Sequence, residues 1–339
     1  MSGSPLLGAP GAVAADGADS GVAAHYGDPG RETRMLEEGL AVADLSNRGV
    51  FTVSGPDRLT WLHSLSTQHL AELAPRTSTS SLILSPKGHI EHDLHIVDDG
   101  ERTWITVEPG TVDAAVGWLD SMRFMLRVEV TDVTAEYAVL GEPIRAESVE
   151  GEPLAWVDPW PGPLGETALY GPSSDEHPGS ERAWRELIVP RDELQRYVGD
   201  RPLAGLMAVE ALRVAAWRPR LLAETDHRTI PHELDWLRVA VHLRKGCYRG
   251  QETVARVHNL GRPPRRLFFA HLDGSGHVLP PAGAELTAGG GRALGRLTSV
   301  ARHYIDGPIA LGVIKRNTPV DAELLAGDVA VAQTVIVQP

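Results

Sequence analysis

Short stretches of alternating apolar and polar residues predict strands that are joined by turns. Residues 82–84 and 89–97 flank the turn sequence Ser-Pro-Lys-Gly at 85–88 and together predict a β-hairpin. Residues 112–124 and 203–217 have helical spacing instead. A period of two in the second hairpin strand places four polar side chains on one face: His89, Glu91, Asp93 and His95. Strands and helices alternate without the regularity of a doubly wound sheet, so we predict an α+β fold with antiparallel pairing.

Stretches rich in proline and glycine divide the chain into five parts. Residues 1–25 are rich in Gly, Ala, Ser and Pro, which predicts a mobile N-terminal tail. Residues 26–140 predict a first α+β domain, and residues 141–185, with seven prolines, predict a linker or insertion. Residues 186–262 predict a second α+β segment. In residues 263–339 short apolar runs alternate with Gly-rich turns, which is typical of a small β-barrel or sandwich.

Composition excludes several classes of protein. The 339 residues carry a net charge of −13, which argues against a general nucleic-acid coat. One cysteine excludes an internal disulfide and a cysteine-only metal or iron–sulfur site built from this chain alone. Residues 1–30 lack Lys and Arg, and no apolar run is long enough for a membrane span. We therefore expect a cytoplasmic protein with no signal peptide and no membrane contact.

The sharpest local signal is the segment Lys245-Gly246-Cys247-Tyr248-Arg249-Gly250-Gln251-Glu252, in which the sole cysteine lies between two glycines. Residues 244–266 have a net charge of +6, which leaves −19 for the rest of the chain. Neighbouring cations favour a thiolate, and a basic stretch in an acidic protein is a candidate anion site. The plainer interpretation is that Cys247 is a small buried apolar residue and that the basic run is a solvated surface.

This segment resembles the signature K-G-C-Y-x-G-Q-E of the YgfZ family, folate-binding proteins related to the T-protein (aminomethyltransferase) of the glycine cleavage system. The resemblance implies a three-domain ring of the T-protein type, with antiparallel sheets, a folate-binding-type first domain and a C-terminal β-barrel. It also implies tetrahydrofolate, or a derivative, as the cofactor. YgfZ-like proteins support the assembly or repair of iron–sulfur clusters, chiefly of the four-iron type, in enzymes that include radical enzymes of tRNA modification.

The resemblance assigns roles within the signature. Cys247 would be the reactive group, Lys245 its activating neighbour and Arg249 a second tuning cation. Further residues would hold the loop or line the site: Gly246, Tyr248, Gly250, Gln251, Glu252 and Arg256. One thiolate cannot hold a four-iron cluster, so either other ligands come from a partner or a small thiol, or Cys247 forms a mixed disulfide or a sulfenic acid.

The resemblance also suggests folate-facing positions, namely Arg48, Asp93, Glu210 and Arg213. For Asp93 the alternative is an ion pair with His95. T-proteins commonly read L-R-[IL]-E-A-G where this chain has Ala215 in place of the acid. Pterin recognition is therefore altered here, and Glu210 is a candidate substitute.

The sequence thus predicts a folate-binding accessory factor for iron–sulfur cluster assembly or repair, with client enzymes or cluster carriers as partners. A folate-dependent aminomethyl or one-carbon transferase and a non-catalytic folate scaffold or sensor are the alternatives. We expect no metal bound by this chain alone, no direct contact with nucleic acid, and a monomer.

Overall fold

A computed structural model describes residues 3–276, 278–289 and 291–339. The strands are β1 (Val13–Ala14), β2 (Ala23–His25), β3 (Val42–Asp44), β4 (Gly49–Ser54), β5 (Ser78–Leu84), β6 (Ile90–Asp98), β7 (Arg102–Val107), β8 (Glu129–Asp132), β9 (Tyr137–Glu142), β10 (Leu154–Val157), β11 (Arg185–Pro190), β12 (Leu203–Ala204), β13 (Arg265–Leu272), β14 (Glu285–Thr287), β15 (Gly295–His303), β16 (Gly307–Lys315), β17 (Leu324–Ala326) and β18 (Val329–Val335). The α-helices are α1 (Pro29–Glu37), α2 (Arg58–Leu65), α3 (Val112–Ser121), α4 (Leu194–Val198), α5 (Leu206–Ala215), α6 (Leu237–Ala240) and α7 (Gln251–Leu260). Short 3₁₀ turns occur at Pro5–Gly8, Gly17–Asp19, Ser174–Glu176, Pro178–Ser180, Arg191–Glu193 and Pro231–Leu234.

The first sheet has the antiparallel order β5-β6-β7-β4-β8. Helices α2 and α3 cover one face of it, because Trp61, Leu62 and Leu119 bury their side chains against Phe51 and Ile105. The predicted hairpin at 82–97 is the β5–β6 pair. In β6, Leu94 and Ile96 point into this core. Because side chains alternate along a strand, Asp93 and His95 point to the opposite face of the sheet.

The second sheet has the order β10-β11-β9-β3-β12 and is antiparallel except for the β12–β3 pair. Helices α1 and α5 pack on it through Leu36, Ala208 and Leu212. The stretch 141–185, expected to be a linker or insertion, supplies strand β10 and ends where β11 begins. It also places Trp156 and Trp160 in the interior, so this stretch is structured although it is rich in proline.

The C-terminal part is a closed barrel of order β13-β16-β15-β14-β17-β18. Its interior is filled by apolar side chains that include Phe268, Leu297 and Ile314. The α+β fold with antiparallel sheets and a small C-terminal barrel, predicted from the sequence, is thereby confirmed. Within the described ranges, no helix is long and apolar enough to cross a membrane.

The N-terminal segment, residues 3–25, packs on the rest of the chain and differs from the mobile tail expected from its composition. Leu6 and Val22 are buried. The Ser4 amide donates to the Gly21 carbonyl at 2.7 Å, and β1 pairs with β2. Asp19, which is partly exposed, pairs with Arg220 at 2.6 Å. Two apolar anchors and one ion pair therefore hold a segment of low-complexity composition.

Candidate functional site

A cavity lies where the two sheets, helix α5 and the N-terminal segment meet, with about 60 Å3 of free space, enough for a few ordered waters. Among the described residues, five arginines and six carboxylates line it: Arg48, Arg182, Arg213, Arg218, Arg220, Asp19, Asp93, Glu108, Asp158, Glu186 and Glu210. Trp156 and Trp184 form apolar parts of the wall. Charges of both signs at this density are typical of a site that recognises a polar ligand.

Most of these charges neutralise one another. Arg220 donates to Glu108 at 2.6 Å and to Asp19 at 2.6 Å, and Arg48 donates to Glu108 at 3.0 Å. Burial alone would raise the pKa of Glu210, but the neighbouring Arg213 and Arg220 outweigh it and lower that pKa to about 2. Glu210 is therefore ionised at neutral pH.

Some buried polar atoms of the wall have no hydrogen-bond partner within the described part of the chain. They are Asp93 Oδ1, Asn47 Oδ1, Arg48 Nε and Arg182 Nε. A buried donor or acceptor without a partner costs about 1–3 kcal/mol, so native structures normally satisfy it with protein, water or ligand. Asp93 Oδ1 in particular is an acceptor at the cavity whose second carboxylate oxygen faces His95.

The four predicted folate-facing residues come together in this cavity. Arg48, Asp93, Glu210 and Arg213 all line it. Arg213, however, already donates to Glu210, to the Arg218 carbonyl, to Glu224 and to Ser299. Arg213 thus ties α5 to its surroundings, whereas Asp93 keeps a free acceptor.

Other wall residues were not identified from the sequence. They include Asp19, Glu108, Trp156, Asp158, Arg182, Trp184, Glu186, Arg218 and Arg220. These residues lie in separate segments of the chain and share no motif. One sequence feature could have indicated a structured site here, namely the three tryptophans in residues 156–184. The prolines of the same stretch favoured a linker instead.

Strand β6 connects the cavity to the signature segment. Its pairing with β5 shifts between Ile83–His92 and Leu84–Ile90, which leaves Glu91 as the extra residue of a β-bulge. Asp93 and His95 face the cavity, whereas Glu91 accepts from Arg249 of the signature at 2.7 Å. The predicted common face comprised His89, Glu91, Asp93 and His95. Of these four residues, only Asp93 and His95 line the cavity.

The signature segment forms a loop that leads into α7, with Cys247 exposed to solvent. The buried Lys245 ammonium donates to the carbonyls of His63 and Ser66 at the C-terminal end of α2. Burial lowers the pKa of Lys245 to about 8. These hydrogen bonds anchor the loop to α2, and the activation of Cys247 by Lys245 stays a prediction. The plainer interpretation of Cys247 as a buried apolar residue is wrong.

The other signature residues have different roles in the structure. The Gln251 side chain accepts a hydrogen bond from the Tyr248 amide at 3.1 Å, within the same loop. Arg249 stacks over Trp118 of α3 with its guanidinium 5.3 Å from the ring centre. Glu252 and Arg256 lie exposed on α7 and outside the wall of the central cavity. No cluster of three or more His, Cys, Asp or Glu able to hold a metal ion occurs in the described ranges.

Known proteins resemble this chain in sequence and in fold. Residues 8–141 match the family described as the GCVT N-terminal domain. The structure resembles the glycine cleavage system aminomethyltransferase T of Bartonella henselae, with a TM-score of 0.74 and 18% identity, over 98% of this chain and 95% of that one. This likeness confirms the T-protein type of fold.

Relatives by sequence carry names of three kinds. The aminomethyltransferase of Symbiobacterium thermophilum is 27% identical over 79% of this chain and 76% of its own. A mitochondrial iron–sulfur cluster assembly factor, the IBA57 homolog of Mycosarcoma maydis, is 25% identical over 67% of this chain and 56% of its own. A chloroplastic protein of Arabidopsis thaliana, named provisionally as a transferase, is 24% identical over 88% of this chain and 71% of its own. The narrower resemblance to YgfZ and the cytoplasmic location stay predictions.

Proposed function

We propose that the protein is an accessory factor for the assembly or repair of four-iron clusters, that it binds a reduced folate in the central cavity, and that it acts through Cys247. The observation that carries the proposal is the exposure of the sole thiol on a loop anchored at both ends. A thiol on a fixed, accessible loop suits exchange with an outside group. Relatives named as iron–sulfur cluster assembly factors support this direction.

A reduced folate fits the donor set of the cavity. Asp93 Oδ1 is a free acceptor for a ring N–H, and the unpartnered Nε atoms of Arg48 and Arg182 are free donors for a ring oxygen. Trp156 and Trp184 provide flat apolar walls for an aromatic ring. When bound, the folate would supply one-carbon or redox chemistry. Because the free space is about 60 Å3, entry of a whole pterin requires a wall side chain to move.

Arg220 is the wall side chain whose movement would admit the pterin. It joins the cavity wall to Asp19 of the N-terminal segment, and its neighbour across the wall is Glu108. Release of the pair with Asp19 would open the cavity toward the groove between the N-terminal segment and the barrel, which both residues also line. The partners implied by the proposal are iron–sulfur client enzymes or cluster carriers, whose own thiolates would supply the ligands that one cysteine cannot.

Replacement of Cys247 by serine tests the role of the thiol. We expect Cys247→Ser to reduce the activity of four-iron enzymes, in cells that lack the natural protein, to the level of the deletion strain. Folate binding is expected to be unchanged, because Cys247 is not part of the cavity wall. Arg244→Gln is the control, since Arg244 is an exposed neighbour of the signature. Full activity with Cys247→Ser would contradict the proposal.

Removal of the Asp93 carboxylate tests the folate site. We expect Asp93→Ala to weaken binding of 5-formyltetrahydrofolate about 10- to 100-fold, the effect of losing a hydrogen bond to a charged group. The quenching of tryptophan fluorescence reports binding, because Trp156 and Trp184 lie in the wall. Asp113→Ala, an exposed change on α3, is the matched control. Equal affinities for both variants would place the folate elsewhere or nowhere on this chain.

The alternative function is a folate-dependent aminomethyl or one-carbon transferase. The observation that favours it is the number of relatives named aminomethyltransferase, which match up to 91% of this chain. A transfer activity that persists in Cys247→Ser would support this alternative, because the thiol has no part in it.

A further inference from the structure

The C-terminal barrel encloses a buried arginine at one end of its interior. Arg266 precedes Phe268 by two residues on β13, so the two side chains share the inward face of the strand. Arg266 is paired across the sheet with Ile314 of β16, and both Phe268 and Ile314 belong to the barrel core. The relative exposure of Arg266 is 0%. An arginine buried to this degree is rare in proteins unless an anion accompanies it.

Arg266 differs from the other buried arginines of the described residues, because it has no carboxylate partner there. Arg48, Arg213, Arg218 and Arg238 each form an ion pair with at least one carboxylate. Burial lowers the pKa of Arg266, but a guanidinium stays charged near neutral pH. The chain thus neutralises four of its buried guanidinium groups and leaves the charge of the fifth without a counterion from its described part.

The hydrogen bonds of Arg266 leave most of its donors without an acceptor. Its Nη2 donates to the Thr318 carbonyl at 3.2 Å and to the side-chain oxygen of Gln333 at 3.0 Å. Both acceptors are neutral. Nε and Nη1 are buried and have no partner within the described ranges, and the same holds for the hydroxyl of Thr318. N–H and O–H donors of this kind are what a bound anion accepts from.

The turn that closes this end of the barrel adds positive charge. Residues 315–318 follow the last pairs of β16, and Lys315 and Arg316 lie in this turn next to the acceptors of the buried guanidinium. Asp321 and Glu323 come next in the sequence, but both are exposed, where water and salt screen their charge. The local charges therefore favour the approach of an anion.

We propose that Arg266, together with the Thr318 hydroxyl, forms a binding site for one small monovalent anion such as chloride. The anion would join β13 to the turn at 315–318, and Gln333 extends the contact to β18. A doubly charged anion such as sulfate fits less well, because it loses more hydration on burial and needs more donors than the enclosed side chain supplies. This site is separate from the central cavity and from Cys247, so it does not depend on the proposed function.

The test is chloride binding to the whole protein at constant ionic strength, with sodium gluconate replacing sodium chloride. We expect chloride to raise the Tm by about 2–4 °C at a concentration about ten times its Kd, because a ligand of the native state stabilises that state by mass action. The shift is expected to saturate. The line width of the chloride nuclear magnetic resonance signal measures binding directly.

Arg266→Met removes the charge and keeps the volume. This variant is expected to fold, because replacing a buried charge with an apolar side chain of similar size often leaves stability unchanged or higher. It should lose both the chloride-dependent shift in Tm and the line broadening. Arg196→Met is the matched control, since Arg196 pairs with Glu193 at the surface, and it should respond to chloride like wild type. A wild-type response in Arg266→Met would overturn the proposal.

Thr318→Val provides a second variant if Arg266→Met does not fold. Loss of the hydroxyl is expected to raise the Kd for chloride about three- to tenfold, the effect of one hydrogen bond to a charged group. An unchanged Kd would overturn the site as proposed. Absence of any chloride response in the wild type would mean that only water satisfies the guanidinium, and an equal response to sulfate would overturn the preference for a small monovalent anion.

Discussion

Replacement of Glu224 by alanine is expected to lower the free energy of unfolding by about 3–5 kcal/mol. The Glu224 side chain is fully buried and accepts from Arg213 at 2.9 Å, from the Thr298 and Ser299 hydroxyls at 2.8 and 2.6 Å, and from the Arg220 amide at 2.8 Å. These contacts join α5 to barrel strand β15. Removal of the carboxylate leaves part of a buried guanidinium unpaired, which costs more than the pair itself contributes. Urea unfolding at neutral pH measures the effect.

The control for this change is Glu193→Ala. Glu193 pairs with Arg196 at the surface, where the arginine side chain is 75% exposed. Exposed pairs contribute about 0.2–1 kcal/mol, so this variant is expected to unfold close to wild type. Similar midpoints for both variants would show that the barrel does not depend on Glu224.

A methyl group at Gly250 is expected to destabilise the protein by about 2–4 kcal/mol and to abolish the activity carried by Cys247. Gly250 has φ of +83°, and a Cβ there would lie 2.5 Å from the Ser85 carbonyl oxygen and 3.0 Å from Gly88 Cα. Both of these atoms belong to the backbone, so the start of α7 must move away from the β5–β6 turn. Urea unfolding and the activity of four-iron enzymes in cells measure the two effects.

The same loop provides the matched control. Gly246→Ala adds a methyl where no neighbouring atom lies within 4 Å, and the backbone is outside the left-handed region. It is expected to fold and act like wild type. Equal losses of stability and activity in Gly250→Ala and Gly246→Ala would contradict this prediction. The losses would then not come from the close contact between Gly250 and the β5–β6 turn.

The elements that could be predicted from the sequence are those indicated by a pattern of neighbouring residues. The hairpin at 82–97 follows from alternation and a turn sequence, and the exposed loop around Cys247 follows from its flanking glycines. Arg48, Asp93, Glu210 and Arg213 were located by resemblance, and all four line one cavity.

The other residues of the cavity wall are brought together by contacts between segments that are distant in the sequence. Neither composition nor a local motif predicts such contacts. Glu186 reaches His95 only because β11 joins the second sheet between β10 and β9. Asp19 belongs to a segment of small residues that looks mobile until Leu6 and Val22 are placed against the rest of the chain. The sequence also could not show that Lys245 is buried against α2, because the carbonyls of His63 and Ser66 are backbone acceptors without a sequence signal.

The bulge at Glu91 limits how the hairpin can change in length. Deletion of Glu91 would restore regular pairing between β5 and β6. The residues that precede Glu91 would then shift along the strand by one position, about 3.4 Å. The turn around Gly88 would then lose its fit against Gly250 and Thr253. Insertion of a further residue would shift the same segment in the opposite sense. A single-residue insertion or deletion in this short stretch therefore separates the thiol loop from the cavity wall, even though every chemical group of both is retained.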